Sequence, residues 1–167
     1  MRAALLGGIS LLSAVALASV NTLPNSTYLN PVMSGWHSDP SCVRVDKTYF
    51  CAVSSFLTVP GLPVYASRDL VNWKLVSYAW TRPDQLGLPN AARDVDYQQG
   101  GFFAPNLRYL DGQFHMTCTY LGAETYKWMM GTTLTTRDPF DSDAWSDAVT
   151  WNASAIDPDA CTTHNLQ

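Results

Sequence analysis

Two Asp-Pro dipeptides, Asp39-Pro40 and Asp157-Pro158, contain the residues of this chain best suited to chemistry. Two carboxyl groups that face one another can hydrolyse a glycosidic bond. One activates water while a second acid protonates the leaving oxygen. The competing interpretation is structural, because aspartate before proline is a common turn dipeptide. The choice depends on whether the two dipeptides occupy equivalent places in the fold.

An internal repeat places them in equivalent positions. Residues 40–49 (PSCVRVDKTY) align without a gap on residues 105–114 (PNLRYLDGQF), and each segment is followed by a strand that contains serine or threonine. The two units also end alike, with Ser67-Arg68-Asp69-Leu70 before Trp73 and Thr136-Arg137-Asp138-Pro139 before Trp145. A third beginning stands at Ile156-Asp157-Pro158-Asp159.

The repeat predicts an all-β propeller. Short runs rich in Val, Tyr, Phe and Thr alternate with turn residues, and helical periodicity is nearly absent. Repeats of this length with several strands each are typical of propeller blades, whereas a β-sandwich would not need a repeated start and finish. Because the innermost strand of each blade lines the central channel, Asp39 and Asp157 are expected at one height there. Ala104 takes the equivalent position on the middle blade.

One hairpin can be predicted in detail. Residues 42–45 and 48–51 flank the two-residue turn Asp46-Lys47, which sets Cys42 opposite Cys51. A cross-strand disulfide is therefore expected. The alternative is two buried free thiols, since cysteine packs well as a small apolar residue.

Composition and the N-terminus indicate an exported protein. Residues 1–18 have the basic start, apolar stretch and small-residue cleavage pattern of a signal peptide, followed by an N-terminal segment over 19–28. A membrane anchor is the competing interpretation, but a span needs about 20 continuous apolar residues. Sequons at Asn25 and Asn152 predict glycosylation in the secretory pathway. The net charge of −4 argues against a nucleic-acid partner.

Several motifs together resemble the β-xylosidase and α-L-arabinofuranosidase branch of glycoside hydrolase family 43. The similarity runs from about residue 29 to residue 159 and keeps the order and spacing of the motifs. The matching segments are Asn30-Pro31, Gly35-Trp36-His37-Ser38-Asp39-Pro40-Ser41, Ser54-Ser55-Phe56, Pro60-Gly61-Leu62-Pro63-Val64, Ser67-Arg68-Asp69-Leu70-Val71-Asn72-Trp73, Gly101-Phe102-Phe103-Ala104-Pro105 and Arg108-Tyr109.

The resemblance implies a five-bladed β-propeller that removes terminal pentose units with inversion. Residues 29–167 would then hold about two blades and the start of a third. Asp39 matches the general base, and Asp157 matches the second aspartate that orients the general acid and raises its pKa. The implied substrates are oligosaccharides from xylan or arabinoxylan, with neither a nucleic acid nor a membrane as partner. No cofactor or metal is implied; calcium in the channel remains an alternative for which these residues specify no ligands.

Three side chains are candidates for sugar contact: His37 beside Asp39, Phe56 as part of an aromatic wall, and Phe103, where relatives often carry tryptophan. The chain departs from the family pattern because it has no residue that matches the family's general acid, a glutamate. The only glutamate, Glu124, fits no general-acid motif. Because a poor leaving group departs very slowly without an acid, the 167 residues by themselves are expected to be inactive. The rival hypothesis is a non-catalytic secreted carbohydrate-binding or vestigial protein.

Overall fold

The computed structural model describes residues 27–87, 100–122 and 129–160, which form two four-stranded antiparallel sheets. In each sheet the strands lie side by side in chain order. These sheets are two successive blades of a β-propeller, as the repeat predicts, and the described residues contain no α-helix. The strands are β1 (Ser41–Val45), β2 (Thr48–Ala52), β3 (Gly61–Ser67), β4 (Lys74–Trp80), β5 (Gly101–Leu110), β6 (Gln113–Leu121), β7 (Met129–Thr136) and β8 (Val149–Asn152).

The first hairpin of each blade has the same geometry. Asp46 and Asp111 begin the two turns and both adopt left-handed backbone, with φ of 53° and 50°. Short polar residues tolerate this region better than most side chains. Across the turn Tyr49 pairs with Arg44 in the first blade, and Phe114 pairs with Tyr109 in the second. The registers are identical, which confirms the alignment of the two repeats.

A hydroxyl group ends the third strand of each blade. Ser67 Oγ accepts hydrogen bonds from the backbone N–H groups of Asp69 and Leu70. Thr136 Oγ1 accepts from the backbone N–H of Asp138 in the second blade. Serine and threonine commonly stabilise turns in this way. The repeated Ser/Thr-Arg-Asp motif therefore marks the exit from β3 and from β7.

The core lies between the two blades, where one face of each sheet is apolar. Aromatic rings meet edge to face across this interface, with centroids 4.9 Å apart both for Phe50 with Phe114 and for Trp80 with Phe102. Phe102 is completely buried and also contacts Tyr120, at 5.1 Å. Such pairs add a little to the free energy from apolar burial. The aromatic residues therefore hold the blades face to face.

A buried amide also links the blades. Gln85 lies in a short 3-10 helix, Pro83–Leu86, after the first sheet. Its Nε2 donates to the carbonyl oxygen of Ala79 in β4 at 2.8 Å and to that of Ser146, before β8, at 2.9 Å. The side-chain Oε1 of Gln85 accepts from the backbone N–H of Thr81 at 3.1 Å, and the backbone carbonyl oxygen of Gln85 accepts from the N–H of Ala148 at 2.8 Å. Because a buried amide is costly without partners, these bonds favour one relative placement of the two sheets.

β5 begins earlier than the repeat predicts. The alignment starts at Pro105, but the strand starts at Gly101 and contains an irregularity between Phe103 and Asn106. The extra residues pair with the long β6, and Phe102 exchanges both backbone hydrogen bonds with Phe56. A Cβ at Gly101 would overlap the Phe56 carbonyl oxygen, so this close approach requires glycine.

The predictions of a signal peptide and of a glycan at Asn25 concern residues that the structure does not describe, whereas the second predicted glycan site, Asn152, is described. Residues 1–18, the remainder of the N-terminal segment up to residue 26, and Asn25 lie outside the described residues. Asn152 is described: it is exposed in β8 and pairs with Met130. Within the described ranges, no helix has the length and apolar character needed to cross a bilayer.

Candidate active site

The three repeat beginnings come together around one cavity. It has a volume of about 370 Å³ and is open to solvent. Both candidate carboxylates, Asp39 and Asp157, border it and are exposed. The spatial convergence follows from the position of β1 and β5 at the inner edges of their blades. The lining residues are Asp39, Pro40, Ser41, Ala104, Pro105, Asn106, Asp157, Pro158 and Asp159.

The three equivalent residues share an unusual backbone conformation. Asp39, Ala104 and Asp157 have φ of 53°, 44° and 60°, and each precedes a proline. Left-handed backbone costs a non-glycine residue of order 1–3 kcal/mol and is concentrated at functional sites. Unlike aspartate, alanine has no polar side chain that could offset this conformational cost by a local hydrogen bond. The shared strain shows that the equivalence of these positions is structural as well as alignable.

Asp39 is hydrogen-bonded by Ser54, a residue that the sequence pattern does not mark as functional. Ser54 Oγ donates to Asp39 Oδ2 at 2.6 Å and accepts from the backbone N–H of Ala104 at 2.8 Å. Ser54 is 5% exposed and lies just after β2. Its only sequence signal was its place in the Ser54-Ser55-Phe56 segment, which does not reveal its partners.

The third repeat beginning, residues 156–159, is held against β5 by polar contacts. Arg108 Nη2 lies 2.6 Å from Asp159 Oδ1, and Asn106 Oδ1 accepts from the backbone N–H of Ala160 at 3.4 Å. The ion pair is largely solvated, so it is worth little in stability. It nevertheless joins the segment that contains Asp157 to the wall of the cavity.

Two of the three aromatic candidates, Phe56 and Phe103, pair with each other. Phe56 and Phe103 meet edge to face with centroids 4.8 Å apart and planes at 90°. Both rings are half-buried, so part of their apolar surface stays accessible. His37 instead packs edge-on against Tyr65 of β3 at 5.1 Å, with Nε2 3.1 Å from the carbonyl oxygen of Ser34. None of these three side chains lines the cavity of the repeat beginnings.

The carboxylates do not form a cluster suited to a metal ion. In residues 27–87, 100–122 and 129–160, no group of three or more His, Cys, Asp or Glu side chains has a geometry that could hold one. The calcium alternative therefore gains no ligand set from the described part of the chain.

The cysteines differ in state. Cys42 and Cys51 lie opposite each other in β1 and β2, in the register that the turn predicts, and their sulfurs form a disulfide. Cys118 is a free, fully buried thiol in the core between the blades, 3.0 Å from Thr132 Oγ1. Burial raises the pKa of the Cys118 thiol to about 12. Cys161 lies outside the described residues.

We expect iodoacetamide to leave Cys42, Cys51 and Cys118 unmodified in the native, unreduced chain. The first two have no free thiol, and the third has neither access nor a useful thiolate fraction. Peptide mass spectrometry before and after reduction in denaturant measures this. Labelling of Cys42 or Cys51 without reductant would contradict the disulfide, and labelling of Cys118 would contradict a closed core.

Comparisons with known proteins agree on one family. The model of the glycosyl hydrolases family 43 matches residues 28–165. Among curated relatives, a non-reducing end α-L-arabinofuranosidase of Bacteroides ovatus is 36% identical over 137 residues, which is 82% of this chain and 24% of that protein. A β-xylosidase of Bacillus subtilis is 36% identical over 132 residues, covering 77% of this chain and 23% of that protein.

Solved structures give the same result. A GH43 protein of the Bacteroides ovatus xyloglucan PUL superposes with a TM-score of 0.68 at 36% identity, over 79% of this chain and 25% of that one. A GH43 protein of Bacillus licheniformis has a TM-score of 0.66 at 28% identity, over 79% and 26%. The chain thus spans about a quarter of the length of these relatives. Because the family model matches residues 28–165, more than four fifths of the sequence, the chain belongs to glycosyl hydrolases family 43.

Proposed function

We propose that this chain carries the water-activating half of an exo-acting glycosidase site that releases terminal xylose or arabinose from xylan-derived oligosaccharides with inversion. The observation that supports it most is the cavity where Asp39 and Asp157 converge from equivalent repeat positions. The names of the relatives, an α-L-arabinofuranosidase and a β-xylosidase, support the pentose substrate.

The two carboxylates would act differently. Asp39 accepts a proton from the attacking water, because its exposed carboxylate already has one oxygen bound by Ser54 and keeps the other for solvent. Asp157, on the third repeat beginning, orients a general acid and raises the pKa of that acid by its negative charge. In an inverting reaction the water attacks from the side opposite the leaving group, so base and acid stand apart.

No general acid is assigned among these residues. Glu124, the only glutamate in the sequence, lies outside the described residues and matches no general-acid motif. Protonation matters most when the leaving group is a strong base, such as the alcohol of a sugar. We therefore infer that hydrolysis by these 167 residues depends steeply on the leaving group.

The test is to compare aryl glycosides with a natural linkage, using the 167-residue chain. We expect 2,4-dinitrophenyl β-D-xyloside or the matching α-L-arabinofuranoside to be hydrolysed at a measurable rate, because dinitrophenolate leaves without protonation. Xylobiose should be cleaved far more slowly. Proton NMR of the first-formed sugar anomer tests inversion. Absence of hydrolysis of every activated substrate would refute the catalytic proposal.

A non-catalytic carbohydrate-binding role is the second candidate. The half-buried Phe56–Phe103 pair supports it, since aromatic rings can pack against the C–H face of a sugar independently of hydrolysis. Saturable binding of xylo-oligosaccharides in calorimetry, with no release of product from the activated substrates, would favour this role over catalysis.

We also propose that the protein is secreted and glycosylated. The support is the signal-peptide pattern of residues 1–18, the sequons at Asn25 and Asn152, and the Cys42–Cys51 disulfide, a bond that persists in oxidising compartments. Asn152 is exposed, which glycan attachment requires.

A further inference from the structure

We propose that Ser54 is a positioning residue that fixes the Asp39 carboxylate in the orientation needed to take a proton from water. This role rests on the proposed function, because it concerns the same reaction. Ser54 is neither one of the two carboxylates at equivalent repeat positions nor one of the aromatic candidates for sugar contact.

The direction of the hydrogen bonds is determined by proton count. A serine hydroxyl has one proton to donate and lone pairs to accept with. The backbone N–H of Ala104 can only donate, so at 2.8 Å it occupies a lone pair of Ser54 Oγ. The hydroxyl proton is then directed to Asp39 Oδ2, at 2.6 Å. A bond this short, to a carboxylate oxygen, belongs to the strong charge-assisted class.

The backbone of Ser54 strengthens the restraint. Its N–H donates to the carbonyl oxygen of Ser38 at 3.0 Å, so main chain and side chain both contact the segment that contains Asp39. Ser54 is nearly completely buried, whereas Asp39 is exposed. An exposed carboxylate with no such partner would rotate among several orientations. A buried donor selects one of them and leaves Oδ1 for the water molecule.

Ser54 also connects two blades at the site. It follows β2 of the first blade, while Ala104 belongs to β5 of the second and occupies the repeat position equivalent to Asp39. The blade with alanine instead of aspartate at this repeat position thus provides, through its backbone, the N–H group that orients the serine bound to the base. The orientation of Asp39 is therefore coupled to the packing of the two sheets.

The neighbouring Ser55 provides a matched control. It is 7% exposed, and its Oγ accepts from the backbone N–H of Leu62 at 2.9 Å within the first blade. Ser55→Ala removes a buried hydroxyl one residue away without touching the contacts of Asp39. Any general effect of deleting a buried serine hydroxyl should appear in both variants.

The experiment measures kcat and KM of the 167-residue chain on 2,4-dinitrophenyl glycosides for Ser54→Ala, Ser54→Thr and Ser55→Ala. We expect Ser54→Ala to lower kcat by about 10- to 100-fold, since small misplacements of a reacting group cost this much. KM should change little. Ser54→Thr, which keeps the hydroxyl, should recover most of the activity, and Ser55→Ala should retain the kcat of the wild type.

A double mutant separates positioning from folding. If Ser54 acts through Asp39, then Ser54→Ala should cause no further loss of kcat in an Asp39→Asn background. A purely structural role would instead add its full effect there.

The possible failures are distinguishable. Wild-type kcat in Ser54→Ala, together with a large loss in Asp39→Asn, would overturn the positioning role and leave the proposed function intact. Full additivity of the two mutations would also overturn it. A wild-type chain that hydrolyses no activated substrate would overturn the proposed function and, with it, this role.

Discussion

The Asp39→Asn variant should hydrolyse activated aryl pentosides about 10²- to 10⁴-fold more slowly than the wild-type chain, the range that a positioned general base contributes. The amide has nearly the same size as the carboxylate and can still interact with Ser54, but it cannot accept the proton of the attacking water. The measurement is kcat with 2,4-dinitrophenyl glycosides, together with near-ultraviolet circular dichroism to verify the fold.

Asp46→Asn is the matched control for that variant. Asp46 is exposed and has the same φ of 53° as Asp39, but it lies in the turn between β1 and β2, away from the cavity. Asparagine tolerates left-handed backbone, so both substitutions should preserve the fold. Near-normal turnover in Asp39→Asn, or an equal loss in Asp46→Asn, would refute the assignment of the base.

Replacing Phe102 with alanine should lower the free energy of unfolding far more than replacing an exposed phenylalanine. The ring is fully buried and contacts Trp80 of the first blade and Tyr120 of the second, so its loss leaves a cavity at the interface. Removal of a buried phenylalanine costs about 3–5 kcal/mol of unfolding free energy. Urea denaturation followed by tryptophan fluorescence should show this as a lower midpoint.

Phe140 offers the comparison. Its ring is 55% exposed and contacts Phe50 at the edge of the core, 5.4 Å between centroids. Phe140→Ala should cost about 1 kcal/mol or less, as is usual for an exposed side chain. If the two variants lose similar amounts, the face between the sheets does not provide the main stabilising core.

Local features of the fold could be predicted because they depend on neighbouring residues. The two-residue turn at Asp46-Lys47 determines which residues of β1 and β2 face each other, and the cysteine register follows directly. The repeated turn and strand-exit motifs likewise encode local hydrogen bonds, so their recurrence predicted two blades. Each depends on contacts within a few residues along the chain.

Features that depend on distant contacts could not be predicted in this way. The early start of β5 depends on Phe102 pairing with Phe56, and the role of Gln85 depends on carbonyl groups of both blades. His37 lies two residues before Asp39 in sequence, yet it packs against Tyr65. Proximity in sequence does not determine which distant residue a side chain in the segment before β1 contacts.

Sequence alone was sufficient for the all-β class, the repeat, and the equivalence of Asp39 with Asp157, because periodic turn residues and a recurring Asp-Pro reflect local conformational preferences. Only the packing of the two sheets brings these two residues to one cavity with Ala104, and only this packing lets Ser54 connect Asp39 to the second blade. A serine hydroxyl can rotate and can both donate and accept, so the residue type alone does not determine its hydrogen-bond partners. Its partners are chosen only when the sheets pack and a backbone N–H fifty residues later reaches its lone pair.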